Sequence, residues 1–122
     1  MGKKHPIPEG ALGYADALAI YGEITEKLNE NSEDDAFLFG NLIRSAARYS
    51  RFRAEWNLRT LDEKARDDYD RKCAHDGFIS AVNMLARYQN AEHGWRERLG
   101  SDRKRIGDFA AYVSLFSALD AR

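Results

Sequence analysis

Both prolines of this chain, Pro6 and Pro8, come before residue 9. From Glu9 onward every residue keeps its backbone amide, so nothing interrupts a helical hydrogen-bond ladder through a missing donor. Apolar residues then recur at three- and four-residue intervals, without strand-like alternation, internal repeats or low-complexity tracts. An all-α fold is expected.

Four helical segments follow from this spacing. The first, over about residues 9–29, turns Tyr14, Ala17, Leu18, Tyr21, Ile24 and Leu28 inward and leaves Asp16, Glu23 and Glu26 wet. The second starts after Ser32, whose hydroxyl can cap the Asp35 amide, with Glu33, Asp34 and Asp35 at its positive end. It runs to about Asn57 and faces Phe39, Leu42, Ile43, Ala46 and then Ser50 inward. The third opens on Thr60 and Glu63, a capping box, and runs to about Glu92 with Gly94 as its stop. Its inner face is Ala74, Phe78, Ala81, Val82 and Leu85. The fourth begins near Ser101 or Asp102 and buries Ile106, Phe109, Ala110, Val113 and Phe116. Arg103, Lys104 and Arg105 in its first turn oppose the helix dipole, so either it starts near Asp108 or those charges meet an acidic partner. The expected architecture is an antiparallel four-helix bundle over residues 9–122, preceded by a flexible arm at 1–8.

A chain of 122 residues is one domain. With 43% hydrophobic and 32% charged residues it reads as soluble and globular. Uncharged runs such as Ala36–Ile43 are far too short to span a bilayer, and no apolar stretch follows the arm to make a secretory leader. The lone Cys73 leaves no internal disulfide and fits a cytoplasmic location. A net charge of −1 hides a blocky distribution: residues 1–35 hold eight carboxylates against three cations, and residues 36–59 hold five arginines against one glutamate. Blocks of this kind favour docking between helices or subunits over a uniform nucleic-acid face.

The second helix is apolar round most of its girth, adding Leu38, Tyr49, Phe52 and Trp56 to its inner face. Either the Pro-containing arm or the Trp95 segment covers the excess, or a second copy does. Phe37, Arg44, Arg48 and Phe52 are the residue types favoured at such a contact, and a homo-oligomer is the expectation.

Toward the hairpin joining the second and third helices, the inner faces turn polar. Ser50, Arg53 and Asn57 continue one inward line, and Asp67, Arg71 and His75 lie on the facing helix, with Tyr49 and Trp56 alongside. Burying such groups is costly unless they are paired, wetted or holding something. They form an ion-pair network, Arg53 with Asp67 and Arg71 with Asp67 or Asp68, or they form a pocket for an anionic ligand. In the second case Arg53, Arg71 and His75 grip phosphate or carboxylate oxygens while Tyr49, Trp56 and Asn57 complete the wall.

Other chemistry has little support. Cys73, His75 and Asp76 point different ways on a helix, His5 and His93 lack spaced partners, and no metal or cofactor is expected. No glycine-flanked serine, phosphate loop or inward carboxylate pair suggests catalysis. Arg44, Arg48 and Arg51 share an edge that could track phosphates, but Glu55 closes it and the pI is near 6.3. Nucleic acid is therefore not the expected partner.

Asp70–Arg87, preceded by Arg51-Phe52-Arg53, resembles a family of short all-helical bacterial and phage proteins that carries only a domain-of-unknown-function label. Those proteins pair an Arg-Phe-Arg element with a later Arg-x-x-Ala-His-Asp-like helix and an Asn-x-Leu-x-Arg-like turn, here Arg71 to Asp76 and Asn83 to Arg87. The resemblance covers residues 48–90 and departs from the family at Lys72-Cys73 and Ala86. It implies a helical fold and a phage or mobile-element origin, and it carries no activity. The sequence thus points to a non-enzymatic protein that sequesters an anionic, nucleotide-like small molecule, which in a phage setting would be a host signalling nucleotide. An inhibitor or adaptor acting on a host protein is the alternative, and a nucleic-acid accessory protein the third.

Overall fold

A computed structural model describes residues 10–120; the arm at 1–8 lies outside the described residues. Five helices pack together: α1 (Tyr14–Glu26), α2 (Glu33–Trp56), α3 (Leu61–Tyr88), α4 (Trp95–Leu99) and α5 (Arg103–Asp120). Among the described residues none is in a strand, and no helix is long and apolar enough to cross a membrane.

Helix α2 lies against both α3 and α5, whereas α1 packs on α4 and α5. The turn Asn57–Thr60 makes α2 and α3 a hairpin, so Tyr49 meets His75 and Arg59 meets Asp67. Helix α5 returns along α2: Arg53 pairs with Asp108 near one end, and Tyr21 of α1 touches both Phe39 and Phe116 near the other. Between these ends Leu42, Phe78, Val82, Leu85, Ile106 and Phe109 are completely buried. Ala46, Ala74, Ala81 and Ala110 let the three backbones close around them.

The helix ends obey local chemistry. Ser32 accepts from the Asp35 amide, and Thr60 and Glu63 form the reciprocal capping box. The Asp35 side chain does more than sit near a helix dipole. It is buried and accepts from the Asn29 amide at 2.6 Å, the Tyr88 hydroxyl at 2.5 Å and the Ser32 hydroxyl at 3.1 Å. One carboxylate thereby ties the α1–α2 loop to the end of α3.

Four expectations need correction. Helix α1 is shorter than 9–29 and its face is shifted: Ala17, Ile20, Tyr21 and Ile24 are buried, Leu18 is 44% exposed, and Tyr14, though 56% exposed, packs edge-on against Tyr112 and Phe116 of α5. The reason is that α1 contacts neighbours on one side only, so a narrow stripe suffices. Helix α3 stops at Tyr88, not near Glu92. Asn90 takes a positive φ of 55°, and the amides of Asn90 and Ala91 turn back to the carbonyls of Arg87 and Ala86, so Gly94 is not the stop. The segment that follows forms a fifth helix, α4, whose Trp95 and Leu99 fill the space among α1, α3 and α5. It does not cover α2.

Finally, α5 does begin at Arg103. Among the described residues the Arg105 guanidinium forms no ion pair, although, after the Lys104 and Gly10 amides, its amide and charge help hold the neighbouring Asp102 carboxyl below its ordinary pKa. That buried guanidinium donates to the carbonyls of Leu99 at 2.8 Å, Arg98 at 3.2 Å and Ala11 at 3.4 Å. The negative end of α4 offsets the positive start of α5.

Candidate functional site: a cationic cleft at the hairpin end

An open cleft of about 560 Å³ lies where the end of α2, the first half of α3 and the start of α5 meet. Tyr49, Arg53, Trp56 and Asn57 come from α2 and its cap, Arg71 from α3, Arg103 and Lys104 from α5, and Asp102 from the residue just before it. Five of the six residues expected to hold a ligand therefore share one wall. The sixth, His75, does not line it. Its ring lies edge-on behind Tyr49, 5.1 Å between centroids, with Nδ1 3.2 Å from Asp76 and a buried Nε2 that has no partner.

The ion pairs differ from those expected. Arg53 pairs with Asp108 rather than Asp67, both its Nη atoms lying 3.3 Å from Oδ1. Asp67 instead takes Arg59 at 2.8 Å and Arg66 at 3.1 Å. Arg71 does reach Asp68, at 3.0 Å, but that carboxylate is 60% exposed, and exposed pairs hold weakly. Among the described residues, Arg103 and Lys104 have no carboxylate within ion-pair distance.

Two aromatic side chains organise the cations. Arg71 lies over the Trp56 ring at 5.2 Å, and Arg59 approaches the same ring at 6.0 Å. This cation–π contact holds the Arg71 guanidinium at the ring while its Nε and Nη2 donate to Asp68. It also occupies the ring, so Trp56 is a platform for arginine and not an empty stacking surface. Tyr49 forms the buried floor. Burial pushes its hydroxyl pKa up, and Arg53, Arg103 and Arg71 pull it part of the way back, which marks three guanidiniums around one phenol.

Behind this wall the chain before α1 is strapped to α5. Asp108 Oδ2 accepts the Leu12 amide at 2.9 Å, and Asp102 accepts the Gly10 amide at 3.3 Å and caps Lys104 at 2.8 Å. Sequence reasoning missed Asp102, Arg103, Lys104 and Asp108 as site residues. The available signal was the misplaced positive charge in the first turn of α5.

On another face of α2 lies a shallow groove of about 500 Å³ between Arg44, Arg48, Arg51 and Arg59, floored by Ala47 and Phe52 and flanked by Glu55. Three residues expected at a partner contact, Arg44, Arg48 and Phe52, line it. Phe37, the fourth, is 63% exposed further along α2. Among the described residues no three His, Cys, Asp or Glu side chains gather closely enough to hold an ion. No family model, curated protein or solved structure matches the chain.

Proposed function

We propose that this protein is a non-enzymatic, cytoplasmic binding protein that sequesters a phosphate-bearing, nucleotide-like small molecule in the hairpin-end cleft. In this reading it is a self-associating antiparallel four-helix bundle with α4 as an accessory turn. Its likeness over residues 48–90 to a phage-type family fits a protein that withholds a host metabolite. The observation that carries the reading is the meeting of Arg53, Arg71, Arg103 and Lys104, drawn from three helices, around one open volume. Four cations against the single lining carboxylate Asp102 leave the wall net positive. Asp108 on Arg53 and Asp68 on Arg71 offset only part of it, so an entering anion is attracted.

The partners of these cations suggest an order of engagement. Arg103 and Lys104 are free to attract, and Arg71 can trade its exposed partner Asp68 for phosphate oxygens. Arg53 keeps Asp108 and offers only its remaining donors. His75 supports Tyr49 from behind rather than touching the anion.

Titration calorimetry with pyrophosphate, mononucleotides, nucleoside triphosphates and cyclic dinucleotides tests the idea. Arg71→Ala and Arg103→Ala should each weaken the responding ligand by about tenfold or more, the scale of one lost charged hydrogen bond. Absence of heat across the panel, or equal heat with both variants, refutes it.

A further inference from the structure

One stripe of α2 is its own complement when reversed. Glu33, Phe37, Gly40, Arg44, Arg48, Arg51 and Glu55 follow one another at helical spacing on the side away from the core. The stripe starts acidic, with Glu33 and neighbouring Asp34, continues through the exposed Phe37, and ends in the arginine groove. Among the described residues, neither those two carboxylates nor Arg44, Arg48 and Arg51 have an ion-pair partner. At its waist, Gly40 leaves the surface low enough for Arg44 to lie across it: a Cβ there would stand 3.0 Å from Arg44 Nη1.

We propose that this stripe is the contact for a second copy of the chain, with the two α2 helices running antiparallel about a twofold axis beside Asn41 and Arg44. That register sets Phe37 of one copy into the groove of the other, next to Ala47 and Arg48. It also brings Glu33 and Asp34 to Arg51 and Phe52. Each pairing occurs twice, as a closed twofold contact requires. An aromatic knob among arginines matches the residue types enriched at such contacts. The same acids count against nucleic acid as the occupant, because Glu33, Asp34 and Glu55 would repel a phosphate backbone along the stripe. The proposal rests on the self-association in the functional reading and not on the cleft, which Tyr49, Arg53 and Arg71 line elsewhere.

Sedimentation of two charge-swapped chains tests it. Arg48→Glu with Arg51→Glu makes both ends of the proposed contact acidic, and Glu33→Arg with Asp34→Arg makes both ends basic. Each variant alone should be monomeric at concentrations where the wild type is a dimer, and mixing the two should restore a dimer. Circular dichroism checks that both remain folded. A wild type that stays monomeric overturns the proposal together with self-association. A dimer indifferent to the swaps overturns this contact alone, and a monomer whose arginine stripe binds DNA in a salt-dependent way overturns both and assigns the stripe to nucleic acid. Nucleotide titration into either variant reads the cleft separately and should match the wild type.

Discussion

Arg53 lies against Gly107 so closely that a Cβ on that glycine would stand 2.5 Å from Arg53 Nε and 2.6 Å from Cδ. Gly107 is a buried position inside α5, where alanine would normally gain about 1 kcal/mol through helix propensity. Here the methyl must displace the stem of an arginine that holds Asp108. The two effects oppose each other, so Gly107→Ala should leave unfolding free energy unchanged or lower it by up to about 2 kcal/mol. Anion affinity should nevertheless fall as far as in Arg53→Ala. Chemical denaturation and calorimetry on the same preparation check both halves. Wild-type affinity in Gly107→Ala would show that Arg53 need not occupy its present place.

Asp108 serves two masters at once, Arg53 through Oδ1 and the Leu12 amide through Oδ2. Asp108→Ala should cost about 1–3 kcal/mol, the scale of removing an acceptor from a charged and a backbone donor. Because Leu12 is 3% exposed, its amide should also exchange with solvent much faster. Amide exchange resolved to the Gly10–Gly13 segment checks this. Unchanged protection at Leu12 would mean that apolar packing alone holds the strap.

The Asp35 carboxyl is held below its ordinary pKa of 3.8, first by the Asn29 amide and then by the Tyr88 hydroxyl, against the opposing effect of burial. As pH falls, the unfolded chain therefore takes up this proton before the folded protein does. The stabilisation is complete above the ordinary value and is lost as pH drops through it toward the lower folded one. Thermal melts from about pH 6 down to about pH 3 should show a falling midpoint in the wild type and a shallower fall in Asp35→Asn. Parallel curves for the two proteins would remove Asp35 from the acid response.

What the sequence revealed and what it hid follow from how locally each feature is determined. The cores of α3 and α5 were legible because Phe78 and Phe109 belong to stripes facing two neighbours, which makes the apolar period wide and regular. Both N-terminal caps were legible because Ser32 and Thr60 act within three residues. The face of α1 was misread because a one-sided contact leaves Tyr14 and Leu18 half-solvated, and periodicity alone cannot locate the neighbour. The cleft was half visible. Tyr49, Arg53, Trp56 and Arg71 share a hairpin and could be aligned by counting from its turn. Asp108 and Arg103 arrive from a helix some 50 residues away in sequence, and no local pattern connects them to Arg53. The discordant charge at the start of α5 was a trace of that contact, since basic side chains at a positive helix end need a reason to be there.

Gln89 bridges α1 and α4, which also meet through the ion pair of Glu23 with Arg98. Its amide nitrogen donates to the Ile24 carbonyl of α1 at 3.0 Å, and its amide oxygen accepts the indole N–H of Trp95 at 3.0 Å. Trp95 is 1% exposed, so removing the acceptor strands a buried donor. Gln89→Ala should cost about 1–3 kcal/mol. Gln89→Glu still accepts from the indole but sets a carboxylate oxygen against the Ile24 carbonyl. It should recover part of its loss below about pH 4, where the carboxyl is protonated and can donate again. Urea unfolding of both variants against the wild type, at neutral pH and in acid, checks this; a Gln89→Glu loss unaffected by pH would mean that the donation to Ile24 contributes nothing.

Trp56 offers the sharpest test of how the cleft is organised. If its ring acts as the platform that holds Arg71, any aromatic of comparable face should serve, while an aliphatic of similar bulk should not. Trp56→Phe should then retain most of the anion affinity. Trp56→Leu should lose it by roughly two- to thirtyfold, the range of a cation–π contact of about 0.5–2 kcal/mol. Trp56→Leu combined with Arg71→Ala should bind no more weakly than Arg71→Ala by itself, because the platform matters only through the arginine it carries. Additive losses in that double variant would mean that the ring touches the ligand directly, with Arg71 swinging aside on binding. Calorimetry on the wild type and these four variants with a single nucleoside triphosphate separates these outcomes.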